Sequence, residues 1–438
     1  MKTDTGVSKN ISDVESPQIV ARQSLLLRQH VEYLLTNSTF YQQMFERQKL
    51  SAGDIRCYDD LQKIPLTAKA DLENNEEQFL AVANEDIADI CLTSGTTGKA
   101  VTFYQSSADL DRLATNEQFA FQLAGITCKD RVLIAAAIDR CFMAGMAYFL
   151  GLQKIGATTI RSGSSSLGVV AQMVQRFRPT ALVGVPTFFL ALAEYLESNG
   201  VCAAECGVQR LICIGEPVRS VDFSLSALGQ RLQQLWQSQL YGTYASTEMA
   251  TTFCDCEYGR GGHIDPELML VEILDEQGQR VPIGEAGEVV ATPLQVTGMP
   301  LLRFRTGDIA CMHEEVCVCG RGGIRLSPIM GRKDQMLKYR GTTVYPPAIF
   351  AVLQQIDAVV NYYIEVFDKY ELSDRIRVVV GCREHVDETV MFANQISERI
   401  AATIRVKPEV VIEKVETVRR KITQEDKRKP VLFFDYRN

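Results

Sequence analysis

Val132-Leu133-Ile134-Ala135-Ala136-Ala137-Ile138 is an unbroken apolar run that stops at Asp139-Arg140. A run this short, bounded by polar residues, reads as a strand buried on both faces. The same signal then recurs in alternation. A helical stretch at Phe142–Lys154 leads to a strand at Ala157–Arg161, and a helix at Val169–Phe177 leads to a strand at Ala181–Gly184. A helix at Thr187–Ser198 and a strand at Leu211–Ile214 complete the series. Strand, helix and strand in this order predict βαβ units and a mainly parallel sheet.

Upstream of that region, Pro17–Gln48 carries Ile19, Leu26, Leu27, Val31, Leu34 and Leu35 at helical spacing, interrupted at Asn37-Ser38. Downstream, from about Met269, the helical pattern ends. Met269–Leu274 and Glu288–Thr292 read as strands, with turns at Glu276-Gln277-Gly278 and Pro282–Gly287, so an antiparallel β section is expected. A second unit begins near Gly331. It has helices at Pro347–Gln355 and Val386–Thr403 and strands at Tyr362–Phe367, Ile376–Val380 and Val410–Val415. The expected fold class is α/β. A large N-terminal domain, residues 1–330, holds parallel sheets and the β section, and residues 331–438 form a small C-terminal α/β domain.

The composition fits this picture. The chain has 438 residues, 46% hydrophobic and 23% charged, which is globular and argues against disorder. Lys and Arg number 46 against 54 Asp and Glu, a net charge of -8. No basic excess is available for nucleic acid or an anionic membrane. The longest nearly unbroken apolar run, Phe142–Leu152, falls short of the ~20 residues of a membrane span. The polar first twenty residues hold no signal core. Thirteen cysteines, an odd number, read as reduced thiols with room for a metal site, and the cytoplasm is the expected compartment.

The segment Thr93-Ser94-Gly95-Thr96-Thr97-Gly98-Lys99 follows the apolar Ile90-Cys91-Leu92. Its glycines permit close backbone approach, and Ser94, Thr96 and Thr97 supply hydroxyls, so it could wrap a polyphosphate. It could equally be a Ser/Thr-rich turn between strands. It is not a Walker A loop, because Thr93 stands at the first Gly position and Ala100 follows Lys99.

Ser94-Gly95-Thr96-Thr97-Gly98-Lys99 resembles the signature loop of the adenylate-forming acyl-CoA synthetase superfamily. Three further motifs follow in that family's order: Tyr244-Ala245-Ser246-Thr247-Glu248, Phe304-Arg305-Thr306-Gly307-Asp308, and Gly331-Arg332-Lys333-Asp334-Gln335. Pro65-Leu66-Thr67, Lys69, Asp71-Leu72 and Val344-Tyr345-Pro346 narrow the resemblance to the phenylacetate-CoA ligase branch, over about residues 60–437. Ala245, Ala100 and Gln335 depart from the usual Gly, Pro and Asp, and none of these changes removes a group with obvious chemistry.

The resemblance implies ATP-dependent activation of a carboxylic acid as an acyl adenylate, with AMP as the product nucleotide, followed by transfer to CoA. The motif residues suit that chemistry. Bringing a carboxylate to the α-phosphate joins two anions, which calls for cations and preorganised donors. Glu248 is suited to hold Mg²⁺, Thr247 to donate to the α-phosphate, and Tyr244 to offer a face to adenine. Asp308 can accept ribose hydroxyls and Arg332 can steady the same region. Taken alone, Asp308 is equally a turn-capping residue. Asp334 stands at the family's pivot between domains. Segments Phe142–Phe149, Gly184–Phe188 and Gly215–Pro217 match its acyl-pocket regions.

The family usually ends in Gly-Lys, a basic-apolar stretch and Asp-x-Arg, the lysine bridging the carboxylate and the α-phosphate. Here Lys427-Arg428-Lys429-Pro430 leads to Asp435-Tyr436-Arg437 with no Gly before a lysine. Counting back favours Lys429, the preceding turn-like residues favour Lys427, and Lys421 is next in line. A solvated basic run is the bland alternative.

Cys256, His263, Cys317 and Cys319 form a Cys₃His set suited to tetrahedral structural Zn²⁺, a pattern that members of this branch often carry. Cys254, Cys311 and His313 compete for the assignment, and free thiols are the alternative. The expected function is ligation of CoA to an aryl or arylacetic acid. An adenylating enzyme serving a carrier protein or an amine is the nearest alternative. A non-catalytic zinc-stapled nucleotide-binding protein is a third. By analogy the oligomer would be a homodimer.

Overall fold

A computed structural model of the protein describes residues 17–93, 100–339, 342–370, 373–382, 389–423 and 430–437. At its centre, strands Thr158–Arg161, Arg131–Ala135, Ala181–Gly184, Arg210–Cys213 and Gln239–Ser246 lie side by side, all parallel. Their inner residues are apolar on both faces because helices cover both. Phe189, Leu192, Leu196, Leu232 and Trp236 fill one side, and Phe121, Tyr148 and Leu152 fill the other. Each residue buried in this way contributes about 1.5–3 kcal/mol.

Beyond Gln239–Ser246 the sheet turns antiparallel and continues through Thr251–Asp255, Gly262–His263, Arg325–Leu326, Phe304–His313, Ala286–Pro293 and Met269–Leu274. The parallel and antiparallel sections are thus one 12-stranded mixed sheet, with Gly331–Arg332 attached to Phe304–His313. Helices Pro17–Asn37 and Thr39–Gln48, broken at Ser38 as the sequence predicts, pack on the antiparallel section through Leu27, Val31, Leu34 and Tyr41.

The small domain is a sheet ordered Glu409–Lys414, Ser373–Cys382, Val359–Tyr370, Phe433–Asp435. Alternation along Ser373–Cys382 splits its two faces. Val378 and Val380 meet helices Pro346–Leu353 and Thr389–Ile404, while Val379 meets Val418 and Ile422 of helix Val415–Ile422. No helix among the described residues is long and apolar enough to cross a membrane.

Two differences from the sequence reading have physical causes. The strand at 132–138 stops at Ala135, and the chain then leaves the sheet through Arg140 and Cys141, both at positive φ. Helix Ser107–Leu123 escaped notice because its buried face carries Asp109, Arg112, Asn116 and Glu117, which erase the apolar periodicity.

Candidate active site

Strand Gln239–Ser246 delivers Tyr244, Ala245 and Ser246 to the carboxyl end of the parallel sheet, where open α/β sheets place their ligands. A tight turn, Thr247-Glu248-Met249, follows. Met249 is fully buried and its N–H donates to Ser246 Oγ at 3.2 Å, so the turn is held from below. Arg112 fixes it from the side. Its guanidinium donates to the carbonyls of Ala250 (2.5 Å), Leu268 (2.6 Å) and Leu294 (2.6 Å) and to Thr251 Oγ1 (3.0 Å). All four acceptors are neutral, and burial pulls the Arg112 pKa down to about 10. Asp109, one turn earlier, accepts from the N–H groups of Thr297 and Gly298, both at 2.7 Å.

Thr247 and Glu248 line a small, partly open cleft together with Phe103, Gln105, Arg112 and Met143. Of the three expected acyl-pocket segments, only the first reaches this cleft, through Met143. At the second and third, Thr187 donates to Glu216 through Oγ1 (3.0 Å) and N–H (3.1 Å), so Glu216 caps helix Pro186–Ser198.

Asp308 lies on Phe304–His313, directly opposite Arg332 in the sheet. Tyr244 Oη donates to its Oδ2 at 2.8 Å, and Arg332 Nε pairs with its Oδ1 at 3.1 Å. Burial pushes the Asp308 carboxyl above its ordinary range, and Arg332 and Tyr244 pull it partway back. Burial, reinforced by Asp308, raises the Tyr244 hydroxyl well above normal. The Tyr244 ring stacks on Phe253, centroids 5.9 Å apart.

A second buried carboxylate, Glu288, accepts from Arg305 (2.5 Å) and Lys333 (3.1 Å). Burial alone would raise its pKa, but these two cations bring it below the ordinary carboxylate value. Asp334 follows Lys333 within the single 3₁₀ turn Lys333–Gln335.

Ser94, Gly95, Thr96, Thr97, Gly98 and Lys99 lie outside the described residues, as do Lys427 and Lys429. The residues flanking the loop are pinned to each other. Thr93 N–H donates to Val101 O at 3.0 Å, and Val101 N–H donates to Thr93 Oγ1 at 2.9 Å. Lys421 is engaged with the tail strand, 4.6 Å over the Phe434 ring and 3.2 Å from Tyr436 Oη.

Cys256, His263, Cys317 and Cys319 converge, their ligand atoms all within 4.8 Å of one another. Cys256 Sγ is 3.7 Å from Cys317 Sγ, and Cys319 Sγ is 3.7 Å from His263 Nε2. Ligands at ~2.3 Å from a tetrahedral centre stand ~3.8 Å apart, so the donor set and spacing fit Zn²⁺. Among the described residues, Cys254, Cys311 and His313 fall outside the cluster. Burial lowers the His263 pKa to about 4, which keeps its imidazole neutral and able to ligate. Arg112, Asp109 and Glu288 were missed in the sequence. The available signal was the polar stripe Asp109, Arg112, Asn116 at three- and four-residue spacing on an otherwise helical segment.

The AMP-binding enzyme profile matches residues 22–298, and the AMP-binding enzyme C-terminal domain profile matches 341–437. A phenylacetate-coenzyme A ligase of Thermus thermophilus is 31% identical over 351 residues, covering 78% of this chain and 77% of the relative. One from Pseudomonas putida is 26% identical over 402 residues, 90% of each chain. In three dimensions the chain is similar to a 2-hydroxyisobutyryl-CoA ligase in the postadenylation state in complex with R3-HIB-AMP. The TM-score is 0.85 at 21% identity, over 98% of this chain and 93% of that one.

Proposed function

The chain belongs to the AMP-binding enzyme family of adenylate-forming acyl-CoA ligases, and we propose that the acid it activates is an aryl or arylacetic acid of the phenylacetate type. The adenylation half of this reading rests on Tyr244 and Arg332 holding the buried Asp308 carboxylate, with Thr247 and Glu248 close to Tyr244 in the chain and lining a small cleft. The acid class rests on the similarity to phenylacetate-coenzyme A ligases. We place the domain boundary at residues 330/331 and the protein in the cytoplasm.

In the first half-reaction a carboxylate oxygen bonds to the α-phosphorus of ATP, and the bond to the β-phosphate oxygen breaks to release pyrophosphate. Asp308 accepts the ribose hydroxyls, held in place by Tyr244 and Arg332. Thr247 donates to an α-phosphate oxygen, and a lysine of the tail, Lys429 before Lys427, neutralises the incoming carboxylate. Glu248 and the triphosphate would hold Mg²⁺, which supplies charge neutralisation at the leaving group. In the second half-reaction the CoA thiol gives up its proton to solvent and its sulfur bonds to the acyl carbon, while the acyl carbon–phosphate oxygen bond breaks and AMP leaves with that electron pair. Zinc at the Cys₃His cluster is structural in this reading, because four protein ligands leave no open position.

Carboxylate-dependent exchange of labelled pyrophosphate into ATP, run over aryl, arylacetic and aliphatic acids, tests the proposal. The strongest exchange is expected with aryl or arylacetic acids, followed by CoA consumption. Exchange with aliphatic acids alone would overturn the substrate class. Exchange without CoA consumption would favour a carrier protein or an amine as acceptor.

A further inference from the structure

Gly331 and Tyr345 lie on opposite sides of the hinge segment, and they touch. A Cβ built on Gly331 would stand 2.5 Å from Tyr345 Cβ, 2.7 Å from its Cγ and 2.8 Å from its Cδ1. Cβ and Cγ lie on the axis about which the ring turns, so rotating the ring would not clear them. Gly331 does not adopt positive φ, and its missing side chain is therefore explained by the neighbour and not by backbone conformation.

The two partners are fixed to different bodies. Gly331 pairs with Ile309 of the large sheet, and Met330 N–H donates to Ile309 O at 2.9 Å. The next two residues are also tied to the large domain, Arg332 to Asp308 and Lys333 to Glu288, each at 3.1 Å. Tyr345 is the N-cap of helix Pro346–Leu353, whose Ile349, Val352 and Leu353 belong to the small-domain core. After the hinge, Met336 O accepts from Arg437 Nη1 at 3.0 Å, and Lys338 N–H donates to the fully buried Asp374 at 2.7 Å. Among the described residues, hydrogen bonds and ion pairs to the large domain end at Lys333 and those to the small domain begin at Met336. Asp334, between them, reaches Arg305 only through its charge.

We propose that Gly331 is a positioning residue. Its bare Cα is the seat for Tyr345, and this contact holds the small domain in the present arrangement against a second one reached by rotation at Asp334-Gln335. Rotation at Asp334-Gln335 carries Tyr345 away with the small domain while Gly331 stays on the large one, so the contact exists in only one arrangement. This rests on the two-half-reaction reading for its catalytic consequence, but not for its structural one.

The test places a donor and an acceptor fluorophore, through non-natural amino acids, at the exposed positions 285 and 394 of the full-length protein. In the parent the interdomain distance of the present arrangement should be well populated. Gly331→Ala should deplete that population about tenfold or more, the scale of a small-to-large clash. It should also change the ratio of pyrophosphate exchange to thioester formation from preformed acyl adenylate. In a Tyr345→Gly background, adding Gly331→Ala should have no further effect. An unchanged distance distribution in folded Gly331→Ala overturns the proposal, as does the same shift in both backgrounds. If Gly331→Ala does not fold, Tyr345→Gly alone must shift the distribution with its melting temperature retained, and an unshifted distribution overturns it. The distances are read without substrate, so failure of the seat is distinguishable from failure of the assigned reaction.

Discussion

Tyr244 and Asp308, sixty-four residues apart in the chain, are joined by a 2.8 Å hydrogen bond from phenol to carboxylate. The other carboxylate oxygen is held by Arg332 at 3.1 Å. In the ribose-binding role proposed for it, Asp308 is therefore aimed before the nucleotide arrives, and little reorganisation would remain on binding. Its burial makes each donor count, since an unpaired buried carboxylate costs several kcal/mol.

Tyr244→Phe removes one donor and should raise the KM for ATP about tenfold with little change in kcat, because the contact serves ground-state binding and transition state alike. Asp308→Asn should be more damaging, since the amide repels one of its two cationic or hydroxyl donors. Steady-state kinetics of the two variants checks this, and an unchanged KM in Tyr244→Phe would count against the ribose role of Asp308.

Glu248→Gln should abolish pyrophosphate exchange, by about 10² or more, while leaving the melting temperature within a degree or two. Glu248 is half-buried on the cleft wall and the structural burden of its turn falls on Met249 and Arg112. Near-normal exchange in the folded variant would remove Glu248 from the metal role.

Much of the fold could be read from periodicity alone. The strand at Ala181–Gly184 and the helix at Pro186–Ser198 follow the expected alternation because both are packed by apolar residues. Helix Ala227–Trp236 was not anticipated even though Leu228, Leu232 and Trp236 sit at four-residue spacing, since Gln230-Arg231 and Gln233-Gln234 interrupt the apolar pattern. The union of the parallel and antiparallel sections could not be read either. It depends on two-residue strands, Gly262–His263 and Arg325–Leu326, too short to carry a pattern. In the site, the four metal-type ligands were legible because cysteines in Cys-x-Cys spacing are distinctive. Arg112 was not, because its partners are backbone carbonyls that no sequence motif encodes.

The protein should carry about one zinc per chain. The cluster joins Gly262–His263 to the loop before Arg325–Leu326, at the middle of the large sheet. Cys319→Ser should lose the metal and lower the melting temperature by several degrees, since a structural ion contributes directly to folding. Elemental analysis checks the stoichiometry. Metal-replete protein without zinc, or full zinc retention in Cys319→Ser, would sink the assignment.

Glu117, buried in helix Ser107–Leu123, accepts from Thr252 Oγ1 at 2.6 Å and Asn116 Nδ2 at 3.0 Å. Burial raises its pKa from 4.5 to about 7 in the folded protein, against the pull of those two donors. Between these values the native state keeps a proton that the unfolded chain has lost. Stability contributed by Glu117 is thus full below pH ~4.5, falls as pH rises, and levels off above ~7. The total loss is on the order of 3 kcal/mol. Glu117→Gln keeps the acceptor oxygen for Thr252 and Asn116 and cannot ionise, so this part of the pH dependence should vanish. Urea unfolding of both proteins at pH 5 and pH 8 measures it. The difference in stability between the two pH values should be smaller in Glu117→Gln by about 2.5 kcal/mol, the part of the loss that falls between pH 5 and pH 8. An identical difference in the two proteins would mean that Glu117 ionises no more readily in the unfolded chain than in the fold.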